Sequence, residues 1–455
     1  MFRHTRLPFA AATALVALAI SLLACTDPGP VPPGQPDVLL YIIDTLRADG
    51  LGTVAESRAS TPHLDRLAEE SVIFEQAFAN APWTRASVAS ILTGLHPTRH
   101  RVQQRHDALP GDVGRVAEQF SAAGYATAFI TTNPNTGSFF GFAGGFDEMI
   151  ELYERRRAGK VTSAELAVAS DVVSDRAIAW IDSVERPFLL VVLTIDPHAP
   201  YHPRARFDPH ADQYRGPMDG SLAALNRRHL GVIEKRRARQ LYDAEIAFND
   251  DSFGRLRDAL EQRDLFDEMI TIVTSDHGEE FWERGGTRGH GRSLSDDVLH
   301  VPLIVRSPSS RGTAPRRDVR SVELVDIVPT ILDLAGLDLP PGLDGVPLLG
   351  ESPKQRSATF AVMNLDGGSF ASLRRHPWKL LRETEGGREV LFDLRSASPE
   401  VRALPPTKQH ERVRAELSAE LDAVLARASA AAAVRPDGEL PGDVEESLRA
   451  LGYIE

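Results

Sequence analysis

Four side chains that could hold a metal ion come directly after apolar runs of this chain. Asp44 follows "DVLLYII", Asp196 follows "FLLVVLTI", and the adjacent pair Asp276 and His277 follows "MITIVTS". Carboxylate oxygens and imidazole nitrogens together suit zinc, manganese and similar divalent cations. A single aspartate after a strand usually caps a turn, but several at one edge of a sheet indicate a metal site.

Two further histidines lie in loops with glycine or proline. His290 stands between two glycines in "TRGHGRS", and His198 follows Asp196 in "IDPHAPYHP". Either one alone is more often a hydrogen-bonded loop residue than a ligand. Together with Asp44 and Thr84 they supply enough oxygen and nitrogen donors for one metal ion. A second ion would need Asp196, His198 and His290 as its ligands.

Short β-rich runs and helical patterns between them must position these side chains. The runs cover residues 37–44, 126–132, 188–196, 269–276 and 301–307. Helical patterns include "TPHLDRLAEES", with Thr61 as its N-cap, and residues 241–262. Strands that alternate with helices predict an α/β fold, and such sheets bind ligands at the carboxyl ends of their strands.

Composition and charge exclude some classes of function. The chain has 455 residues, of which 42% are apolar and 25% charged, so it can bury a large core. Its formal net charge of -13 argues against non-specific binding to nucleic acid, which needs a basic face. An anionic small substrate would need a local cation to overcome the global charge.

The N-terminus has the pattern of an export signal. Arg3 and Arg6 precede an apolar run, and "LLAC" ends at Cys25, the one cysteine of the chain. We expect lipidation of Cys25, a Pro/Gly-rich tether over residues 26–36, and a location in the cell envelope. A plain secretory signal and an uncleaved anchor helix are the alternatives.

Serial motifs resemble those of the sulfatase family in the alkaline phosphatase superfamily. They include "DVLLYIIDTLRADGLG", "ASILTGLHPTRH", "AGYATAFITTN", "TSDHGEEF", "HVPLIVRSP" and "SVELVDIVPTILDLAGL", and the resemblance extends from residue 37 to about residue 394. It implies an alkaline phosphatase-like α/β/α sandwich with a mostly parallel central sheet over residues 37–350. A smaller C-terminal α+β subdomain with terminal helices would follow over residues 351–455.

The resemblance also implies roles for individual residues. Asp44 matches the first metal aspartate, Asp276 and His277 match the Asp-His ligand pair, and Thr84 falls on the nucleophile at the head of a helix. Sulfatases have Cys-x-Pro-x-Arg there, whose cysteine becomes formylglycine, whereas this chain has "TRASV". We therefore expect no formylglycine, and a bound divalent metal such as zinc, manganese or calcium.

Other positions depart from the family pattern as well. Thr45 replaces a second metal aspartate, and "ITTNPN" replaces the Gly-Lys-Trp-His segment that binds sulfate. Asn133 in that segment is expected to be an exposed loop residue. Arg47 could reach a phosphate group in bidentate fashion, but a structural salt bridge to Asp49 or to a neighbouring helix is the alternative, and we leave Arg47 out of the site. His290 lies close to where many members have a lysine.

These features predict a metal-dependent hydrolase of anionic esters. Thr84 would attack, and His198 and His290 would bind the substrate or protonate the leaving oxygen. Phosphodiesters and phosphonate esters are favoured over sulfate esters, because threonine cannot expel sulfate by collapsing to an aldehyde. The alternatives are a true sulfatase, an anchored transferase acting on glycans or lipid head groups, and an inactive binding protein.

Overall fold

The computed structural model describes residues 34–53, 59–153, 168–284, 288–349, 356–365, 367–396 and 399–454. The predicted signal segment and Cys25 lie outside these residues, so lipidation of Cys25 stays a prediction that metabolic labelling with a fatty acid would test. No helix in the described ranges combines the length and the apolar character that crossing a membrane requires.

A nine-stranded sheet forms the centre of the larger domain, and its strands occur in the order β11-β2-β10-β6-β1-β5-β3-β4, with β9 paired to β2. Their bounds are β1 Val38–Ile43, β2 Val72–Phe78, β3 Ala126–Thr131, β4 Glu148–Glu151, β5 Phe188–Thr194, β6 Ile270–Ser275, β9 His300–Val301, β10 Leu303–Arg306 and β11 Arg316–Glu323. A short hairpin, β7 Glu280–Phe281 with β8 Arg288–Gly289, lies apart from the sheet. Strand β9 is antiparallel to β2, and β10 is antiparallel to its neighbours β2 and β6. The other pairs in the sheet are parallel.

Helices cover both faces of this sheet. Successive side chains of a strand point to opposite faces, so a strand that is apolar at every position needs packing partners on both sides. Val38, Leu40 and Ile42 join one apolar cluster, and Leu39 and Tyr41 join the other. The first cluster contains residues from α2 Thr84–Thr93, α4 Val116–Ala122, α9 Ile327–Ala335 and α11 Gly442–Ala450, and the second contains residues from α1 Pro62–Glu69, α5 Ser170–Ile181 and α7 Val232–Glu261. The short helices are α3 Pro97–His100, α6 Leu222–Leu225 and α8 Asp296–Leu299.

The C-terminal subdomain is a smaller α+β unit, as expected from the sequence. Its antiparallel sheet comprises β12 Thr359–Leu365, β13 Gly368–Arg375, β14 Trp378–Glu383 and β15 Glu389–Asp393. Helix α10 Lys408–Leu425 packs Val413, Leu417 and Leu421 on this sheet. After α10 the chain returns to the larger domain, where α11 joins the main apolar core.

Glu323 connects the large sheet to the C-terminal subdomain. Its Oε2 atom lies 2.8 Å from Nε2 of His96 and 3.2 Å from Nη1 of Arg356, and its Oε1 accepts a hydrogen bond from the backbone N–H of Phe360. Burial opposes ionisation, but Arg356 and His96 outweigh it and lower the pKa of Glu323 from 4.5 to about 2. The buried carboxylate therefore stabilises the fold only while it is ionised.

We expect the free energy of unfolding to fall as the pH drops from about 4.5 towards 2, because a carboxylate with a depressed pKa contributes stability above its unfolded pKa and loses it through its folded pKa. Glu323→Gln should lower the free energy of unfolding by about 3 kcal/mol at pH 7. It should also make the decrease of that free energy at low pH shallower, which urea unfolding at several pH values measures. Glu445→Gln, which breaks an exposed pair with Arg449, should cost about 0.5 kcal/mol or less. Equal costs for the two variants would contradict this assignment.

Candidate active site and metal centre

The register of the central sheet brings Asp44 and Asp276 together. Strands β1 and β6 run parallel, with Ile43 beside Ser275, so the next residue of each strand emerges at the same edge. The backbone N–H of Asp44 donates to the carbonyl oxygen of Thr194, which ends the neighbouring strand β5, at 3.0 Å. Two carboxylates thus meet at the carboxyl edge because the strands that precede them are in register.

Asp44, Asp276 and His277 form the candidate metal centre. One ligand atom from each lies within 4.8 Å of the others, and in the described part of the chain no other group of three or more such residues meets this distance. Oδ1 of Asp44 and Oδ2 of Asp276 are buried without a hydrogen-bond partner. Nδ1 of His277 lies 2.9 Å from the carbonyl oxygen of Gly278, which can only accept, so Nδ1 carries the proton and the Nε2 lone pair remains for a ligand.

The electrostatics of the centre favour a bound cation. Burial and the neighbouring Asp276 carboxylate raise the pKa of Asp44 well above its ordinary range. Burial also raises the pKa of Asp276, although His277 opposes the shift. Two buried carboxylates and one imidazole lone pair fit a divalent cation, which would neutralise the repulsion between them.

Thr45 supports the centre through its backbone. It adopts a left-handed conformation with φ of 60°, and its N–H donates to Oδ1 of Asp276 at 3.2 Å. The N–H of His277 donates to the same oxygen at 2.8 Å. The Thr45 hydroxyl donates to the carbonyl oxygen of Asp44. Oδ1 of Asp276 is thereby held by the main chain, and Oδ2 remains for a ligand.

Thr84 is the first residue of helix α2 and is fully buried beside the centre. Its Oγ1 atom lies 3.3 Å from Nε2 of His277. Ser87, one turn later, donates from its hydroxyl to the carbonyl oxygen of Asp276 at 2.6 Å and ties the helix to the end of β6. The N-terminus of a helix favours negative charge, so this position suits an oxygen nucleophile.

Asn133 differs from the expectation of an exposed loop residue. It is fully buried, and its Nδ2 donates to Oδ2 of Asp44 at 2.6 Å and to the hydroxyl of Tyr453 at 3.1 Å. Asn133 reaches the site because it follows β3, whose last residue, Thr131, is paired with Leu193 of β5 in the same parallel sheet.

Tyr453 is a site residue that the sequence analysis missed. Its hydroxyl lies 2.9 Å from Oγ1 of Thr84, although 369 residues separate the two in the chain. Burial and the charge of Asp44 raise the pKa of this phenol well above its ordinary value, so it keeps its proton at neutral pH. The apolar spacing in "VEESLRALGYI" indicates a packed helix, but it contains no signal for a hydroxyl at the nucleophile.

His290 and His198 lie beside the centre, in agreement with their expected proximity. The His290 ring centroid is 4.4 Å from that of His277 and 5.0 Å from that of His198. Nδ1 of His290 lies 3.0 Å from Oε2 of Glu279, which is buried. Glu279 is a further residue of the site that was not predicted from the sequence. Burial and the nearby His290 lower the pKa of His198 to about 3, and burial together with His277 lowers that of His290 well below 6.5.

Asp196 is not brought into this group. Its carboxylate accepts hydrogen bonds from the N–H and hydroxyl of Ser170, and it forms an ion pair with Arg204 at 2.8 Å. Across the described ranges, Asp196, His198 and His290 do not form a second cluster of metal ligands. The arrangement therefore favours one metal ion, and it leaves Asp196 as a structural residue.

Arg47 also lies outside the centre and forms a salt bridge with Asp49, which was one of the alternatives considered for it, with Nη2 2.8 Å from Oδ2.

A cavity of about 140 Å³ lies next to the centre. His198, His290 and Tyr453 line it, together with three arginines, Arg105, Arg288 and Arg292. Glu279 is the one carboxylate in the described lining, so cationic groups outnumber anionic ones there. The local charge of the cavity thus has the opposite sign to the net charge of the chain.

Comparisons with known proteins agree with this fold. Residues 36–337 match the sequence model of the family described as Sulfatase, so the chain belongs to the sulfatase family and is a hydrolase of that family. The choline-sulfatase of Rhizobium meliloti (strain 1021) is 25% identical over 370 residues, which are 70% of this chain and 71% of that protein.

Two other similar proteins carry different names. The multifunctional alkaline phosphatase superfamily protein PehA of Trinickia caryophylli is 26% identical over 400 residues, or 69% of this chain and 76% of that protein. The crystal structure of the phosphonate monoester hydrolase of Agrobacterium radiobacter has a TM-score of 0.72 at 22% identity, covering 87% of this chain and 96% of that one. The predicted α/β fold with a C-terminal subdomain is thereby confirmed.

Proposed function

We propose that this chain hydrolyses anionic phosphodiesters or phosphonate monoesters, with Thr84 as the nucleophile. The observation that carries the proposal is the position of Oγ1 of Thr84, 3.3 Å from Nε2 of His277 and beside the cluster of Asp44 and Asp276. An alcohol at the head of a helix, next to ligands for a divalent cation, has the arrangement needed for nucleophilic attack on an anionic ester.

The identity of the nucleophile supports phosphorus over sulfur. A formylglycine hydrate releases sulfate by collapsing to an aldehyde, and Thr84 has no second hydroxyl with which to do so. The ester formed on Thr84 must instead be opened by a water molecule that attacks the transferred group. Thr45, in place of an aspartate, also leaves less negative charge around the cation, which favours an anionic phosphoryl group.

Asp44, Asp276 and His277 would hold the divalent cation, which when bound neutralises charge on the transferring group and favours the Thr84 alkoxide. The protein supplies the remaining functions. The Ser87 contact and the start of helix α2 fix the position of Thr84. Buried side chains around Thr84 exclude bulk water from it.

Side chains that line the cavity would bind the ester anion. Arg105, Arg288 and Arg292 attract a negatively charged substrate. Nδ1 of His198 faces the carbonyl oxygen of Ala199 and so carries a proton, and its buried Nε2 has no hydrogen-bond partner. We assign His198 to contact with the substrate or its leaving oxygen in the cavity that it lines.

The names of similar proteins support the substrate class. One neighbour in structure is named a phosphonate monoester hydrolase and one relative in sequence a choline-sulfatase, and the esters in both names are anionic. The chemistry of Thr84 favours the phosphorus ester, and the charge of the cavity suits either anion.

A substrate panel tests the proposal. The purified protein is assayed with Mn²⁺ or Zn²⁺, and with a chelator, on an aryl phosphodiester, an aryl phosphonate monoester, an aryl phosphate monoester and an aryl sulfate. We expect metal-dependent turnover that is fastest for the phosphodiester or the phosphonate. Dominant turnover of the aryl sulfate would overturn the substrate preference, and metal binding without any turnover would favour a binding protein.

A further inference from the structure

We infer that Tyr453, near the C-terminus, is a catalytic residue that stabilises negative charge on Oγ1 of Thr84. The inference rests on the proposed role of Thr84 as the nucleophile. The phenol oxygen lies 2.9 Å from Oγ1, and both side chains are buried, with Tyr453 8% exposed. A hydrogen bond to a reacting oxygen in a dry site is worth more than the same bond in water.

The surrounding hydrogen bonds fix which atom donates. The backbone N–H of Asn135 donates to Oδ1 of Asn133 at 3.0 Å, which identifies the other amide atom of Asn133 as the nitrogen. This nitrogen has two hydrogens, and it directs one to Oδ2 of Asp44 and the other to the oxygen of Tyr453. The oxygen of Tyr453 therefore accepts from Asn133, and its own hydrogen is left to donate to Thr84.

The C-terminal segment is built into the domain as a wall of the site. Leu448 and Leu451 are buried in the main apolar core. The backbone N–H of Tyr453 donates to the carbonyl oxygen of Leu448 at 2.9 Å, and its carbonyl oxygen accepts from Nη1 of Arg105 at 3.1 Å. Withdrawing this segment would expose the buried side chain of Leu451 to water, which disfavours its release.

The Tyr453 hydroxyl would stabilise Oγ1 of Thr84 in both halves of the reaction. In the first, Oγ1 of Thr84 forms a bond to phosphorus, the bond from phosphorus to the leaving alcohol breaks, and that alcohol takes up the proton that Thr84 loses. In the second, a water oxygen attacks phosphorus, the bond to Oγ1 breaks, and the electron pair and one proton return to Oγ1. Oγ1 carries negative charge in each transition state, and the Tyr453 hydroxyl points at it.

Tyr453→Phe tests the role, because it removes the hydroxyl and retains the ring. We expect kcat for the best ester to fall by about 10²-fold, with KM changed by less than about threefold. The aliphatic alkoxide of Thr84 is a poorer leaving group than an aryl oxide, so the second half of the reaction should slow most. Intact-protein mass spectrometry of acid-quenched Tyr453→Phe should therefore detect more phosphorylated Thr84 than in the wild type.

Tyr125→Phe is the matched control, since Tyr125 is a buried tyrosine whose hydroxyl has no partner and whose ring packs on Phe120. It should change neither kcat nor the amount of adduct, and both variants should melt within about 3 °C of the wild type. An unchanged kcat in Tyr453→Phe would overturn the inference. So would faster turnover by a chain ending at Gly452, which would identify the tyrosine as an obstruction.

Orthovanadate binding separates failure of this inference from failure of the proposed function. If the wild type turns over none of the four esters, the proposed function fails, and Tyr453 is then judged by its effect on vanadate affinity in the presence of Mn²⁺. Vanadate imitates the phosphoryl group beside Oγ1. Tyr453→Phe should weaken its binding by about tenfold, or 1.4 kcal/mol, and Tyr125→Phe should not. Equal affinities would exclude the role of Tyr453.

Discussion

Thr84→Ala is expected to reduce turnover of the best ester by about 10³-fold or more, because it removes the oxygen that forms the covalent intermediate. Thr84→Ser keeps the hydroxyl at the head of helix α2 and should stay within about tenfold of the wild type. The measurement is kcat/KM at saturating metal. The same preparations should bind metal with unchanged stoichiometry, because Asp44, Asp276 and His277 remain in place.

A matched control for Thr84 exists on the same helix. Thr93 is a buried threonine near the end of α2, and its hydroxyl donates to the carbonyl oxygen of Ala89. Thr93→Ala removes an equivalent group far along the helix, and we expect it to leave kcat/KM within about twofold, since surface and structural changes away from a site alter stability more than chemistry. Retention of full activity by Thr84→Ala would mean that water attacks the ester directly, without a covalent step.

The proximity of the candidate metal ligands was predictable from the sequence, because residues that follow adjacent parallel strands lie at the same edge of the sheet. Asp44 and Asp276 each follow a buried apolar run, and parallel strands in register place the residues that follow them side by side. The family resemblance added Thr84, whose location depends on helix α2 starting at that residue. Spacing alone does not predict the contact between Thr84 and the sheet edge.

Other parts of the site depend on tertiary contacts without a local signal. Asn133 was expected to be an exposed loop residue, yet the parallel pairing of β3 and β5 buries it against Asp44. Tyr453 comes from an amphipathic C-terminal segment whose pattern indicates packing and nothing more. Asp196 has the same local pattern as Asp44, but its carboxylate is paired with Arg204 and accepts a hydrogen bond from Ser170.

Helix α7 illustrates a similar limit for the fold. The sequence pattern predicts a helix from residue 241 to residue 262, whereas α7 begins at Val232 and ends at Glu261. Its first turns contain "VIEKRRARQ", where charged residues obscure the apolar period. Arg237 is buried there in an ion pair with Asp208, so a charged side chain occupies a position that the pattern reserves for an apolar one.

Asp276→Asn is expected to have opposite effects on stability without and with metal. In metal-free protein it removes one of two buried carboxylates that repel each other, and the new amide can donate to the unpartnered Oδ1 of Asp44, so the melting temperature should stay equal or rise. With divalent metal at about 100 times its Kd, the wild type should gain about 2.7 kcal/mol, whereas the variant should gain little. Differential scanning calorimetry with a chelator and with Mn²⁺ or Zn²⁺ measures both effects.

Asp196→Asn separates the metal centre from the rest of the sheet edge. Asp196 also follows a buried strand, but its carboxylate is paired with Arg204, so the variant should lose that ion pair and still show the full increase in melting temperature when metal is added. The increase in melting temperature on adding metal could instead persist in Asp276→Asn and disappear in Asp196→Asn. That result would show that the ion binds at Asp196 and not at Asp276. Loss of the response in both variants would instead require a second ion that Asp196 helps to hold, despite its contacts with Ser170 and Arg204.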